Sequence, residues 1–163
     1  MLLYLYLLRH AQSADKQNGQ TDKERTLTVT GMAEANVVGK FLKEISQIPD
    51  LMITSSAVRA KTTAQIVAGC IHYDSKRIIA IDDLYEATVS NLFQVVGSLA
   101  DDIKKLMIIG HNPTLSLFAD HATNEHNRGL LPAELVILKF EVAGWKDILK
   151  EKAVVIERFH PTV

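Results

Sequence analysis

Six short apolar runs recur along the chain: Leu2–Leu8, Leu51–Ile53, Ile78–Ile81, Leu106–Ile109, Leu135–Phe140 and Val154–Phe159. Most lack the alternation of apolar and polar residues expected of a strand with one wet face, which predicts strands covered on both faces. Between them lie segments with helical spacing. Met32, Ala35, Val38, Phe41, Leu42 and Ile45 recur at three- and four-residue intervals, with Thr30 as a cap just ahead. Ala57–Ile71 and Ser90–Leu99 read the same way, with Ser90 as a second cap. Strands alternating with helices predict an α/β fold, a three-layer α/β/α sandwich around a mostly parallel central sheet. No repeat, low-complexity stretch or linker divides the 163 residues, so one domain over 1–163 is expected, with Asp15–Arg25 as a polar loop.

Composition excludes several classes of function. With 47% hydrophobic residues, 23% charged residues and a formal charge of −1, the chain has a globular profile and no bulk charge to steer it to nucleic acid. Cys70 is the sole cysteine, so there is no internal disulfide, and its neighbours Val67, Ala68 and Ile71 suggest core packing in a reducing compartment. The first apolar run has no basic residue ahead of it and is too short to span a bilayer. A cytoplasmic protein with neither a membrane nor a nucleic-acid partner is expected. Neither G-x-x-x-x-G-K-[ST] nor G-x-G-x-x-G occurs, which removes the usual support for nucleotide binding. His121 and His126 lack the spacing of a zinc helix and read as surface residues, His72 and His160 have no evident partner, and Trp145 is expected to pack beside a hairpin turn at Gly144.

In sheets of this type the ligand crevice lies beyond the carboxyl ends of the strands. Arg9 and His10 follow the first run. Gly110, His111 and Asn112 follow Leu106–Ile109, and the stretch Thr54–Ala64 carries Arg59 into the next helix. Two histidines and two arginines can therefore meet at one rim although they are spread over a hundred residues. Such cationic crowding is costly unless an anion sits within it, and a phosphate dianion fits. Each feature also has a plain structural explanation, a solvated strand end or a simple turn, and patterning alone leaves an anion site and coincidence evenly matched.

The residues resemble a known set. Arg9–Ser13 (RHAQS) resembles the Arg-His-Gly or Arg-His-Ala signature of the histidine phosphatase, or phosphoglycerate mutase-like, superfamily. Glu24–Gly31 (ERTLTVTG) resembles the Arg-Pro-Leu-Thr-x-x-Gly stretch of its small phosphohistidine phosphatase branch, the SixA type. Ser55–Gln65 (SSAVRAKTTAQ) and Ile108–Leu115 (IIGHNPTL) resemble the family's remaining motifs, and all four occur in family order. The resemblance implies a phosphoglycerate mutase-like fold and a phosphatase working through a phosphohistidine intermediate, with no metal and no cofactor. His10 would be the nucleophile, Arg9 and Arg59 the clamps on the phosphoryl oxygens, and His111 a further donor, protonated against bound phosphate. Arg25 and Asn112 would contact substrate. Glu86, in a Leu-x-Glu that aligns more loosely, would be the acid that protonates the leaving group, or else a solvated carboxylate ahead of the third helix. Planar guanidinium forks suit the equatorial oxygens in phosphoryl transfer, and their charge keeps a neighbouring imidazole neutral.

Gln12 stands where the family often has Glu or Lys, which bears on the pocket mouth, and Thr26 and Ser56 stand in place of prolines, which bears on loop stiffness. The expected substrate is phosphohistidine on a partner protein, such as a histidine-containing phosphotransfer domain. The alternatives are a phosphatase of small sugar or nucleotide phosphate esters and a non-catalytic phosphate-binding module.

Overall fold

The computed structural model of the chain describes residues 1–126 and 128–163. The elements run β1 (Leu2–Arg9), α1 (Val29–Glu44), β2 (Leu51–Ser55), α2 (Val58–Cys70), β3 (Ile79–Ile81), α3 (Val89–Gly97), β4 (Lys105–Gly110), α4 (Thr114–Thr123), β5 (Leu135–Glu141) and β6 (Val154–Phe159). The strands form one sheet in the order β3-β2-β4-β1-β5-β6. The β3-β2-β4-β1 portion is parallel, and β5 and β6 extend it in antiparallel fashion. This is the mostly parallel α/β sandwich that the pattern of apolar runs predicts.

The missing alternation in β1 has a direct cause. Leu3, Leu5 and Leu7 enter a core with Leu92 and Val96 of α3 and Leu115 and Phe118 of α4. Tyr6 and Leu8 point the other way, into a core with Ala35, Val38 and Leu42 of α1 and Ala60, Ala64 and Val67 of α2. Helices on both faces thus bury every side chain from Leu5 to Leu8, each leucine contributing about 1.5–3 kcal/mol relative to exposure. Among the described residues no helix is long and apolar enough to cross a membrane.

Several local expectations are corrected. Helix α1 is capped by Thr28, whose Oγ1 accepts from the Gly31 N–H at 2.9 Å, not by Thr30. Helix α3 is capped by Thr88 in a reciprocal box with Asn91, not by Ser90. In both, the inward-facing residues start later than the helix does. Val29 in the first turn of α1 is 84% exposed, so apolar spacing has no way of marking it. Helix α4 is an element that the pattern of runs and helical segments does not predict. Cys70 is half-buried rather than core, wedged between α1 and α2 and hydrogen-bonded to Asn36. A Cβ on Gly39 would lie 2.6 Å from the Cys70 Cβ, so only glycine permits this approach. Trp145 sits in a 3-10 turn (Trp145–Asp147) next to Gly144 in the connection between the antiparallel strands β5 and β6, and its Nε1–H donates to the Ile103 carbonyl. His72 lies 3.3 Å from Lys43 Nζ and so does have a partner.

Candidate active site

Strand register assembles the site. β1 and β4 are adjacent and parallel, with Arg9 opposite Gly110, so the residues that follow each strand emerge side by side. The His10 N–H donates to the Gly110 carbonyl at 3.1 Å, and the imidazoles of His10 and His111 stand 5.1 Å apart between centroids. β2 flanks β4 on its other side and leads straight into α2, whose first turn holds Arg59. Three strand ends thereby deliver residues from three distant parts of the chain to one rim, as the topology of a parallel sheet requires.

His10 is buried, and its Nδ1 lies 2.8 Å from the Ala11 carbonyl. A carbonyl can only accept, so Nδ1 carries the hydrogen and Nε2 keeps its lone pair. Burial, opposed by that hydrogen bond and reinforced by the charges of Arg59, Arg9 and Arg25, lowers the His10 pKa from 6.5 to about 4. His111 Nε2 lies 2.7 Å from Oγ of the fully buried Ser55, and that Oγ accepts from the Ala57 N–H. Burial, then the His10 and Arg59 charges, lower the His111 pKa to about 3, opposed by Asp22. Burial first and neighbouring charge second therefore hold His111 neutral on their own, whereas the expected imidazolium is one set against bound phosphate. A phosphate dianion would act in the opposite direction to the arginines.

Each guanidinium is anchored by part of its hydrogen-bonding capacity. Arg9 Nη1 donates to the Leu130 carbonyl at 2.9 Å. Arg59 donates through Nη1 to the Asp22 carbonyl at 2.8 Å and through Nη2 to Asp22 Oδ2 at 3.1 Å. Arg25 donates to the Ala14 carbonyl, to Asp22 Oδ1 and to Ser13 Oγ. Tyr85 O–H donates to Asp22 Oδ2, and its ring meets His111 edge-on at 5.6 Å. Together with Arg25 and Arg59, the Tyr85 hydroxyl holds the Asp22 carboxyl well below the usual carboxylate range.

Every sequence-predicted position, Arg9, His10, Arg25, Arg59, Glu86, His111 and Asn112, lines one open cleft of about 320 Å3. Glu86 is exposed in the turn ahead of α3. The Asn112 amide is engaged at both ends, donating to the Leu130 carbonyl and accepting from Ser116 Oγ, each at 2.7 Å, so it ties its own loop in place. Gln12 is not in the cleft wall. Its side chain accepts from Thr28 Oγ1 at 2.7 Å, so the departure from the family at this position does not shape the mouth. Sequence reasoning misses Asp22, Tyr85 and Ser13, which complete the wall. What looks like a plain polar loop at 15–25 contains a 3-10 turn (Asp22–Glu24) that delivers Asp22 to Arg59; Asp22 placed three residues before Arg25 was the available signal. A larger hollow of about 500 Å3 beside His121 and Lys152 lies apart from these groups. Among the described residues no three His, Cys, Asp or Glu side chains are grouped to hold a metal ion.

Comparison with known proteins agrees with this geometry. The chain belongs to the histidine phosphatase superfamily (branch 1), whose model matches residues 5–94. An uncharacterized protein of Mycobacterium tuberculosis is 28% identical over 137 residues, covering 84% of this chain and 83% of the relative. The mitochondrial serine/threonine-protein phosphatase Pgam5 of Drosophila mojavensis is 34% identical over 83 residues, 51% of this chain and 28% of that protein. Among solved structures, SixA from Agrobacterium tumefaciens, a candidate phosphohistidine phosphatase, superposes with a TM-score of 0.84 at 25% identity, covering 98% of each chain. The protein histidine phosphatase SixA complexed with tungstate shares the fold, with a TM-score of 0.84 at 16% identity over 97% of each chain. Family, fold and site together mark the chain as a phosphatase of the phosphoglycerate mutase-like type.

Proposed function

We propose that the chain is a metal-independent phosphatase that passes the phosphoryl group through His10 and acts on phosphohistidine carried by a partner protein. The observation that carries this reading is the His10 ring, held with Nε2 unprotonated among Arg9, Arg25 and Arg59. The Nε2 lone pair forms the P–N bond while the bond from phosphorus to the leaving nitrogen breaks and that nitrogen takes a proton. Water then attacks phosphorus, releasing inorganic phosphate and returning the lone pair to Nε2. Guanidinium groups neutralise the equatorial oxygens throughout, which is the electrostatic role a cation must otherwise fill. His111 donates a further hydrogen bond to the phosphoryl oxygens.

A protein substrate is supported by the openness of the cleft at the rim of the sheet. The SixA proteins that share the fold carry names referring to phosphohistidine and protein histidine phosphatases. A histidine-containing phosphotransfer domain is a substrate of this kind. The test compares release of phosphate from a phosphorylated phosphotransfer domain with release from sugar and nucleotide phosphates, with and without a chelator. The reading predicts preference for the protein and no loss in chelator; preference for the small esters, or arrest by the chelator, would overturn it.

A further inference from the structure

We propose that Asp22 selects ligands by the charge of the group that bears the phosphoryl, favouring a neutral or cationic bearer and disfavouring a second anion, an inference that rests on the phosphatase reading for the identity of the bound group. Three guanidinium groups in the cleft, those of Arg9, Arg25 and Arg59, face two carboxylates, Asp22 and Glu86, while both histidines are neutral. The chain thus offers one surplus positive charge, and a phosphoryl dianion more than consumes it. Any further negative charge on the ligand then enters a region that is already net negative.

Asp22 is fixed where this matters. Its Oδ2 accepts from Arg59 Nη2 at 3.1 Å and from Tyr85 O–H, and its Oδ1 accepts from Arg25 Nη1 at 3.0 Å. Its turn is tied to the segment that leads to Tyr85 by Lys23 Nζ and Asp82 Oδ1, 3.1 Å apart. Four hydrogen-bond and ion-pair contacts thus orient this turn and its carboxylate, whose side chain remains 51% exposed at the wall. Its field reaches across the cleft, since it is the charge that opposes the lowering of the His111 pKa. A residue that only buttressed Arg59 and Arg25 would support every phosphate ligand alike. A fixed negative charge discriminates between ligands of equal phosphate and unequal tail.

Ligands that share a phosphate monoester but differ in tail charge separate the two roles: phosphoglycolate (negative), ethyl phosphate (neutral) and phosphoethanolamine (positive). Binding is measured by calorimetry at low ionic strength in the His10→Ala protein, which forms no phosphoenzyme, and in the same protein carrying Asp22→Asn or Asp22→Glu. With Asp22 present, affinity should rise from the negative to the positive tail by about threefold or more per unit of charge, a gradient that added salt flattens. Asp22→Asn should reduce the gradient, with phosphoglycolate gaining most, and Asp22→Glu should keep it. A uniform change for all ligands in Asp22→Asn, or no gradient with Asp22 in place, would overturn the proposal while leaving the phosphoryl site intact. If none of these ligands, nor inorganic phosphate, binds the Asp22-containing protein, the phosphatase reading falls and this inference falls with it.

Discussion

His10 and His111 are held neutral by burial first and by neighbouring positive charge second. The unfolded chain binds protons on these rings near 6.5, whereas the fold delays protonation to about 4 and about 3. Over the interval between, the unfolded state holds more protons, so stability rises with pH there and is lost as pH falls. An NMR titration should find the His10 ring still neutral at pH 5.5, and a midpoint near 6.5 would contradict the burial argument. Glu86 has a chemical test. An alkoxide leaves poorly without a proton donor, while an imidazole is readily protonated by solvent. If Glu86 is the acid, Glu86→Gln should lower kcat on an alkyl phosphate by about 10²-fold or more and spare phosphohistidine; a small, equal change on both substrates would assign it to the solvated rim. Arg9, His10, Arg59 and His111 were legible as site candidates because each follows an apolar run, where a parallel sheet places its ligands. Tyr85 was not, and Asp22 only through its three-residue spacing to Arg25, because their delivery to the cleft depends on contacts such as Lys23 with Asp82 that no local periodicity encodes.

Among the elements, α1 braces the segment that follows His10. A Cβ on Gly31 would lie 2.0 Å from the Gln12 carbonyl oxygen, and one turn further on Glu34 Oε2 accepts from the Gln12 N–H at 2.9 Å. Gly31→Ala must therefore move either the helix or the backbone beside His10, and it should cost about 1–3 kcal/mol and reduce turnover together. Gly69, near the end of α2, has open space within 4 Å of the point where a Cβ would stand. Its replacement by alanine should stabilise by about 0.5–1 kcal/mol without touching activity. Urea midpoints and initial rates on the two variants check both statements, and equal effects would mean that α1 does not brace the site. The strands were legible because burial on both faces leaves uninterrupted apolar runs. Helix α4 has Leu115, Phe118, Ala119 and Ala122 on its buried face, a spacing that is readable in principle, but its first residues coincide with the His111 motif and are masked by it.

For the molecule as a whole, the sheet joins two cores that share β1. Leu7 and Leu8 are adjacent, fully buried and on opposite faces. If the chain is a single cooperative domain, Leu7→Ala and Leu8→Ala should each cost about 2–5 kcal/mol and leave one unfolding transition, seen alike by fluorescence and circular dichroism. Two transitions, or loss confined to one face, would separate the layers. The proposed chemistry makes His10 the phosphoryl acceptor, and the β1–β4 register places it among guanidinium groups from three parts of the chain. The most direct measurement is brief incubation with a radiolabelled phosphodonor, followed by denaturation and mapping of the label. The account predicts acid-labile, alkali-stable label on His10 that disappears in His10→Ala together with turnover, whereas label or turnover that persists in that variant would contradict it.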